Sequence, residues 1–502
     1  MTYSVLTEPV IPVIMPNGEE NMLGIRETIL NAHRIKDISG GNPLERYALL
    51  RLLIVFAMDM VHPKTSYERA ELLQTGKFDD RILDAYISEC EKEGPRFDLF
   101  DTDHPFLQSR YDEKLDAKAK KPVAEIFHAL PNGNNHVFID HRLADSHEVS
   151  IPSAFAALCA SYVFCVSGLA GPSGVNNTPP LYTVMIGNNL FETIVINMLS
   201  EAEAAPLPFG AGDVPWRKDM IIKPRAQVAA VSLLEGLSWM PRRITLVCED
   251  DKPLVRYVYC QAGLDFRGND LWNDPHVPKF RKKDDTFGTV KPQMGREVWR
   301  DAGTLLYDHD SKQIRQPLVM RCLGNVYEEE ESPDWMKIRA SGLTTKQAAY
   351  IGWTEGELSI PSVLLYNQEM ADVLRDEINL IEKVQAQIFS NVQRYYDKPR
   401  SNCKTEEHEV ATQCQQHFLK GAHDLVFGEV INDLCSTEFS IATHNQRFLR
   451  SVESLISDTL TRVLHGTGND TKSMIKQIEA EKWIWFNYQK IRKELEEQYV
   501  GA

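Results

Sequence analysis

After about residue 360, apolar residues recur in steps of three and four, which is the spacing of one face of an α-helix. Four segments carry this pattern, at residues 370–395, 410–425, 448–463 and 475–495. Short polar breaks separate them, and Asp470 or Thr471 in the last break is placed to cap the final helix. Because short connections put successive helices side by side, the pattern predicts an antiparallel four-helix bundle over residues 361–502.

Residues 1–360 show no single period. Helix-like patterns at residues 44–60, 67–73 and 82–93 come before short strand-like runs such as RRITLVCED and PLVRYVYCQAGLDF. The N-terminal stretch alternates as a strand or hairpin does, and it lacks the basic start and cleavage site of a signal peptide. We therefore predict an α+β protein in which one large mixed N-terminal domain, residues 1–360, is followed by the bundle.

The stretch at residues 150–191 contains no Asp, Glu, Lys, Arg or His. Its first part, residues 151–171, is long enough to span a bilayer. It is rich in Ala, Ser, Cys and Gly, however, and no basic cluster flanks it. We expect a helix buried in the large domain and no membrane segment. The stretch continues into a glycine-rich loop, GLAGPSGVNNTPP, at residues 168–180.

Composition and charge narrow the class of protein. The chain has 502 residues, 43% of them hydrophobic, which is enough for more than one core. Its nine cysteines include no CxxC spacing, so we expect no disulfide framework, no thiolate zinc site and a cytoplasmic location. The net charge of −16 opposes broad nucleic-acid binding. Residues 217–300, however, hold 16 Lys and Arg against 11 Asp and Glu. This basic region suits contact with a polyanion over a limited area. Charges scattered over a solvated surface explain the same excess equally well.

The glycine-rich loop does not match a nucleotide-phosphate motif. Its glycines Gly168, Gly171 and Gly174 are not followed by the lysine of a P-loop, and their spacing is not GxGxxG. What remains is accessible backbone N–H groups and the amides of Asn176 and Asn177. Such a surface suits the minor groove or sugar-phosphate edge of a duplex. An ordinary helix C-cap followed by a turn is the alternative interpretation.

Histidines supply a second candidate chemistry. His128, His136, His141 and His147 lie close in sequence, with Asp140 and Asp145 between them, and would allow a metal-dependent soluble hydrolase. Their spacing matches no closed ligand set such as HExxH. The finger-like set Cys403, His408, Cys414 and His417 lies mostly on the second bundle helix, where core packing explains Cys414. No nucleophile or paired-carboxylate motif occurs, so we expect no catalytic residues, no metal and no cofactor. A structural scaffold built around the bundle is a further alternative.

Several strings, taken in order, resemble the large subunit of Cascade, the type I-E CRISPR surveillance complex (the CasA family). They are DHPFLQ at residues 103–108, the glycine-rich loop leading to GNNLFETIVINML at 187–199, GLSWMPRRITL at 236–246 and LWNDPHVP at 271–278. The closing bundle matches in position and length. The resemblance spans essentially the entire chain.

This resemblance implies a non-enzymatic subunit that recognises the protospacer-adjacent motif in duplex DNA, promotes strand separation and R-loop formation, and recruits a helicase-nuclease. Guide-RNA pairing reads the target sequence, while protein reads the short motif. The implied partners are the other Cascade subunits, crRNA, double-stranded target DNA and the helicase-nuclease.

The resemblance also implies site residues. The glycine loop that lies against DNA contains Gly168, Gly171, Ser173, Gly174, Asn176 and Asn177. A mobile loop that contacts the crRNA end and the motif contains Phe138, Ile139 and Asp140. The tip of a hairpin that wedges beneath the motif contains Gly356, Glu357 and Leu358.

The chain departs from the family pattern at several of these positions. Asp140 replaces an amide, and Glu357 cannot donate a hydrogen bond as a glutamine can. A lysine that enters the minor groove in some relatives has no match here. Its candidate replacements are Arg267, Lys279, Arg281, Lys282 and Lys283. Some relatives carry a cysteine-rich zinc cluster, but only Cys248 and Cys260 occur in that region, so no zinc is expected.

Overall fold

A computed structural model of the chain describes residues 1–130, 148–166, 175–176, 178–205, 207, 210–218, 222–248, 252–267, 272–308, 314–327, 333–346, 349–397, 408–436 and 439–500. The chain separates into two compact units, the first Met1–Val298 with Asp310–Ser359 and the second Trp299–His309 with Ile360–Ala502. Residues near 300 join the second unit because Arg300 forms two hydrogen bonds to Glu382, at 2.5 and 2.8 Å. The domain limits 1–360 and 361–502 stay a prediction.

The helices are numbered in chain order. They are α1 Ile25–Leu30, α2 Pro43–Val61, α3 Ser66–Thr75, α4 Asp80–Cys90, α5 Glu113–Asp116, α6 Ile151–Val163, α7 Leu190–Ile196, α8 Glu201–Ala204, α9 Leu233–Leu237, α10 Leu318–Arg321, α11 Gln368–Tyr395, α12 Glu409–Leu425, α13 Ile431–Leu434, α14 Ile441–Thr459 and α15 Thr471–Val500. All but the last five belong to the first unit.

The strands are short and lie almost entirely in the first unit. They are β1 Ile11–Ile14, β2 Glu20–Leu23, β3 Asp37–Ile38, β4 Lys120–Pro122, β5 Val149–Ser150, β6 Tyr182–Ile186, β7 Gln227–Val228, β8 Arg242–Cys248, β9 Leu254–Ala262, β10 Asp265–Phe266, β11 Lys279–Arg281, β12 Phe287–Thr289, β13 Ile314–Arg315, β14 Trp335–Lys346 and β15 Ala349–Pro361.

Within the described residues these strands form five small sheets. The predicted N-terminal hairpin is present as antiparallel β1 and β2, with Ile11 opposite Leu23. The two strand-like runs pair with each other as β8 and β9, which also carry β4 and β5. Strand β14 lies between β15 and β6, and Arg339 is opposite Val184. This last sheet carries the hairpin that matters for the site.

The core of the first unit is built around α2. This helix is apolar on nearly every side, as expected of a helix surrounded by protein. The Asn42 side chain caps it by accepting from the N–H groups of Leu44 and Glu45. The charge-free stretch begins with the buried helix α6, capped by Ser150, which confirms the prediction of a buried helix. Among the described residues, no helix combines the length and apolarity that crossing a bilayer requires.

The second unit consists mainly of the four predicted long helices, and the α+β prediction with C-terminal helices is confirmed. Buried residues of α11 follow the predicted spacing, for example Leu374, Ile378 and Ile381. A π-helical turn at Val426–Val430 carries α12 into α13 without a break in the helical path. Asp470 caps the last helix by accepting from the N–H groups of Lys472 and Ser473, as predicted.

Candidate functional site

A buried ion pair lies beside the end of the glycine-rich loop. Arg51 on α2 pairs with Asp274, with 2.9 Å between Nη2 and Oδ2, and both side chains are almost fully buried. The Arg51 Nε also donates to the Leu237 carbonyl at 2.9 Å. Burial by itself would raise the pKa of Asp274, but Arg51 and His276 hold that pKa below its ordinary value. Both partners therefore stay charged in the folded protein.

The hydroxyl of Tyr182 joins the two sides of residues 167–174, the glycine-bearing part of the glycine-rich loop. It donates to the Val163 carbonyl at 3.1 Å and accepts from Asn176 Nδ2 at 3.1 Å. Val163 precedes residues 167–174 and Asn176 follows them. The same Asn176 nitrogen lies 3.4 Å from Asp274 Oδ2, which connects this hydroxyl to the ion pair. We call Arg51, Asn176, Tyr182 and Asp274 the loop base.

An aromatic cluster brings two further segments to the loop base. The Phe164 ring is 5.3 Å from that of Tyr182 and 6.3 Å from that of His128. The His128 ring in turn lies 4.9 Å from Tyr350. These separations are those of packed aromatic pairs. His128 precedes the predicted mobile-loop residues Phe138, Ile139 and Asp140 in sequence, and Tyr350 is the second residue of β15.

A basic hairpin starts and ends beside Tyr182. It consists of β11 and β12, which pair with Lys279 opposite Thr289. Before it, the His276 carbonyl accepts from the Thr183 N–H at 2.9 Å. After it, the Val290 carbonyl accepts from the Leu181 N–H at 2.8 Å. Both flanks of the basic hairpin are thus tied to β6 or to the residue next to it.

Described residues that flank four segments therefore lie together in the first unit. The segments are residues 167–174, residues 131–147, the turn between β14 and β15, and the basic hairpin. Loops that project from one rigid base can touch a single extended ligand at several points. The fold thus brings the flanks of these segments, which are distant in sequence, to one place.

Most of the predicted loop residues fall outside the described part of the chain. They are Phe138, Ile139, Asp140, Gly168, Gly171, Ser173, Gly174 and Asn177. Asn176 is described, and its Nδ2 donates to the Tyr182 hydroxyl at 3.1 Å and lies 3.4 Å from Asp274 Oδ2. A contact between this amide and DNA stays a prediction. Asn176 positions the loop.

The predicted hairpin tip is also wrong. Gly356, Glu357 and Leu358 lie inside β15, while the chain reverses between Lys346 and Ala349. Glu357 accepts from Arg339 on β14 at 2.7 and 2.9 Å, and Leu358 is buried. A side chain so held within a sheet cannot wedge into a duplex. A period-2 pattern predicts a strand but does not fix the position of its turn.

The five candidate basic contacts differ in their surroundings. Arg267 forms an ion pair with Asp265 at 2.6 Å, and Arg281 forms one with Asp285 at 3.0 Å. Lys279 donates to the Trp272 carbonyl at 3.4 Å. Lys282 and Lys283, at the turn of the basic hairpin, are exposed, and no salt bridge holds either one among the described residues. These two lysines are best placed to meet a phosphate.

The described residues contain no metal site of the kind that a metal-dependent hydrolase would require. His128 packs against aromatic rings, and no group of three or more His, Cys, Asp and Glu side chains there could hold a metal ion. His136, Asp140, His141, Asp145 and His147 lie outside the described residues. In the bundle, Cys414 is buried and His417 contacts Asp458 at 2.9 Å.

Two buried histidines predict a pH-dependent stability. Burial lowers the pKa of His128 and of His276 to about 4, well below the ordinary value. The unfolded chain therefore binds more protons between about pH 6.5 and pH 4, so stability is lost as the pH falls through this window. We expect a loss of about 2 kcal/mol per histidine in the free energy of unfolding between pH 7 and pH 5. Urea denaturation at the two pH values measures it.

The variant His128→Phe supplies the control for this prediction. A phenylalanine suits a site beside Phe164 and Tyr350 and does not titrate. The variant should lose about half of the pH dependence assigned to the two histidines. An unchanged difference between pH 7 and pH 5 would show that His128 titrates normally in the fold.

Sequence reasoning missed the residues that hold the site together. Arg51, Phe164, Tyr182 and Tyr350 were not singled out, although Asp274 lies inside the string LWNDPHVP. Arg242, from the string GLSWMPRRITL, donates to the Val166 carbonyl at 3.4 Å, just before the loop. The recognisable strings thus marked the support of the loop as well as the loop itself.

The fold matches that of solved Cse1 structures. The structure of Thermus thermophilus CasA (Cse1) matches with a TM-score of 0.74 and 17% identity, covering 98% of this chain and 100% of that one. Cse1 from Acidimicrobium ferrooxidans matches with a TM-score of 0.75 and 19% identity, covering 98% and 99%. A chain of a CRISPR RNA-guided surveillance complex matches with a TM-score of 0.78 and 18% identity, covering 96% and 99%. At these identities the likeness establishes the fold.

The family follows from the sequence itself. The model of CRISPR-associated protein Cse1 matches residues 5–483, so the chain belongs to the Cse1 family. No curated protein matches the sequence significantly. The resemblance identified from the short strings is confirmed.

Proposed function

We propose that this protein is the non-catalytic large subunit of a crRNA-guided Cascade complex. In this role it recognises the protospacer-adjacent motif in duplex DNA, promotes strand separation and R-loop formation, and recruits the helicase-nuclease. Membership of the Cse1 family supports the proposal, as does the shared fold with a chain of a CRISPR RNA-guided surveillance complex. The other subunits and the crRNA are its partners in the assembly, and guide pairing reads the target.

The observation that carries the proposal is the gathering of four segments around the loop base. Tyr182 bonds residues on both sides of residues 167–174, and the aromatic cluster adds His128 and the start of β15. The basic hairpin leaves the same region. A short motif in a duplex has two strands and a groove, so its recognition requires several contacts held in fixed relation.

Each segment has a chemical task in this proposal. The glycine-rich loop lies against the minor groove, where backbone N–H groups approach without side-chain bulk. Lys282 and Lys283 neutralise phosphates beside it. The end of the β14–β15 hairpin enters beneath the motif, since this is where the chain reverses. The segment after Leu130 contacts the crRNA end and the motif.

Target binding by the assembled complex tests this function. Duplexes that match the guide but differ in the flanking motif are titrated between 50 and 200 mM salt, a range over which about six to ten phosphate contacts change affinity by roughly 10³- to 10⁵-fold. We expect tight, salt-dependent binding only with the correct motif. A complex prepared without this chain should lose the motif preference.

The variant Lys282→Ala/Lys283→Ala sharpens the test. Removing two phosphate contacts should lower the magnitude of the slope of log affinity against log salt concentration by about 2. It should also weaken the binding of all duplexes by a similar factor. An unchanged slope would remove the basic hairpin from the interface. If the wild-type complex binds duplexes with every flanking sequence equally tightly, the result favours the alternative that this protein is a structural scaffold. Metal-dependent hydrolysis by the purified chain would favour the hydrolase.

A further inference from the structure

The outer face of β15 changes character along its length. Glu355 pairs with Arg46 on α2, and Glu357 pairs with Arg339, which also bonds Asp37 at 2.5 Å. These ion pairs tie the strand to the body of the first unit. Toward the chain reversal, the next two outward positions are Trp353 and Ile351, which are 41% and 48% exposed. Large apolar side chains thus stand exposed where the ion pairs end.

The opposite face of the strand is covered. A Cβ added at Gly352 would lie 3.2 Å from Met294, and one added at Gly356 would lie 2.8 Å from Val298. Successive side chains of a strand point to opposite faces, so Ile351 and Trp353 point away from the segment that carries Met294 and Val298. By the rise of a strand, Trp353 stands about 13 Å from the start of β15. The exposed pair therefore belongs to the end of the hairpin.

The charges near Ile351 and Trp353 in the sequence favour contact with a polyanion. From Ser341 to Thr354 the sequence has one lysine, Lys346, and no Asp or Glu, in a chain with 71 acidic residues. The first carboxylates after it, Glu355 and Glu357, each pair with an arginine, Arg46 and Arg339, and Arg339 is shared with Asp37. An exposed indole on a stretch of strand without Asp or Glu, with Lys346 at the end of the same hairpin, has the composition of surfaces on which unpaired bases stack.

We propose that Trp353, with Ile351 beside it, is a stacking platform for an unpaired base of the opened duplex. The inference rests on the proposed function, because only an opened target supplies such a base at the end of the hairpin. The indole face stacks on the base while Lys346 lies near the adjoining phosphate. The platform stabilises the open state over the paired one, since a base inside the duplex already stacks on its neighbours.

The test uses the assembled complex and motif-bearing duplexes that carry 2-aminopurine singly at each position next to the motif, in either strand. With Trp353 present, the fluorescence at one or more positions should be quenched by the stacked indole. On a target that is mismatched next to the motif, where the base is unpaired in every variant, Trp353→Ala should restore that fluorescence. On a fully paired target it should lower the equilibrium constant for opening about 5- to 150-fold, the range that one stacked base provides. Trp353→Phe should retain most of the opening.

Trp335→Ala is the matched control. Trp335 is 46% exposed on the same hairpin, but it begins β14, roughly 35 Å along the strand from the chain reversal. The variant Trp335→Ala should leave the opening of the duplex and the quenching of 2-aminopurine unchanged. Identical fluorescence in wild type and Trp353→Ala at every position would overturn the platform, as would a DNA-independent loss of complex assembly in Trp353→Ala, because a protein would then cover the pair. A wild-type complex that ignores the motif would instead refute the proposed function.

Discussion

Replacing Asp274 by alanine is expected to lower the free energy of unfolding by about 3–5 kcal/mol, the cost of leaving one partner of a buried ion pair uncompensated. Only 4% of the Arg51 side chain and 1% of the Asp274 side chain are exposed, so water cannot replace the lost carboxylate. The backbone carbonyl of Leu237 remains as an acceptor for Arg51, but it carries no charge. The measurement is urea denaturation of wild type and variant at pH 7.

Asp84→Ala is the matched control for this prediction. Asp84 also pairs with an arginine, Arg26, at 3.0 Å, but 58% of its side chain is exposed and Asp80 stays as a second partner. Exposed pairs contribute about 0–1 kcal/mol, so this variant should resemble wild type. The double variant Arg51→Met/Asp274→Leu should recover part of the stability, because it removes both buried charges. Equal stability of Asp274→Ala and Asp84→Ala would contradict the assignment.

The same substitution should also affect DNA recognition. Asp274 is one of the two acceptors of the Asn176 amide, and Tyr182 is the other. Loss of the carboxylate therefore loosens the C-terminal flank of the glycine-rich loop while the loop sequence stays intact. Where the variant is still folded, its complex should bind the motif less tightly than wild type.

A single aspartate in the glycine-rich loop should cut target binding by the assembled complex at least tenfold. We expect this of Gly171→Asp and of Gly174→Asp, because each adds bulk and negative charge to a surface proposed to lie against phosphate. Both positions lie outside the described residues, and their flanks are fixed by Tyr182 and Arg242. Equilibrium binding of a motif-bearing duplex measures the effect, and thermal denaturation of the isolated subunit should show no change in Tm.

Gly324→Asp controls for the added charge. Gly324 also belongs to the first unit, and a Cβ there would meet no other atom within 4 Å. It should leave target binding within about twofold of wild type, because a surface substitution away from special features changes little. If the loop and control variants bind alike, the loop does not lie at the DNA.

Residue spacing alone is enough to predict most elements of this protein. The spacing of three and four residues marked the four C-terminal helices, and Asp470 was recognised as a cap because capping depends on the next three residues only. The charge-free stretch gave a buried helix, since its composition permits full burial. The family was also readable, because its short strings survive in order along the chain.

The support of the candidate site depends on contacts between distant parts of the chain. Arg51 and Asp274 are 223 positions apart, and Arg339 meets Asp37 across 302 positions. Burial and partners of this kind depend on packing between distant segments, which no local pattern encodes. For the same reason the sequence misplaced the hairpin tip at Glu357, which lies inside β15. The periodicity of a sequence shows which side of an element is buried. It does not show which partners surround the buried charges and aromatic rings near Tyr182, because those partners come from distant segments that pack there only in the folded chain.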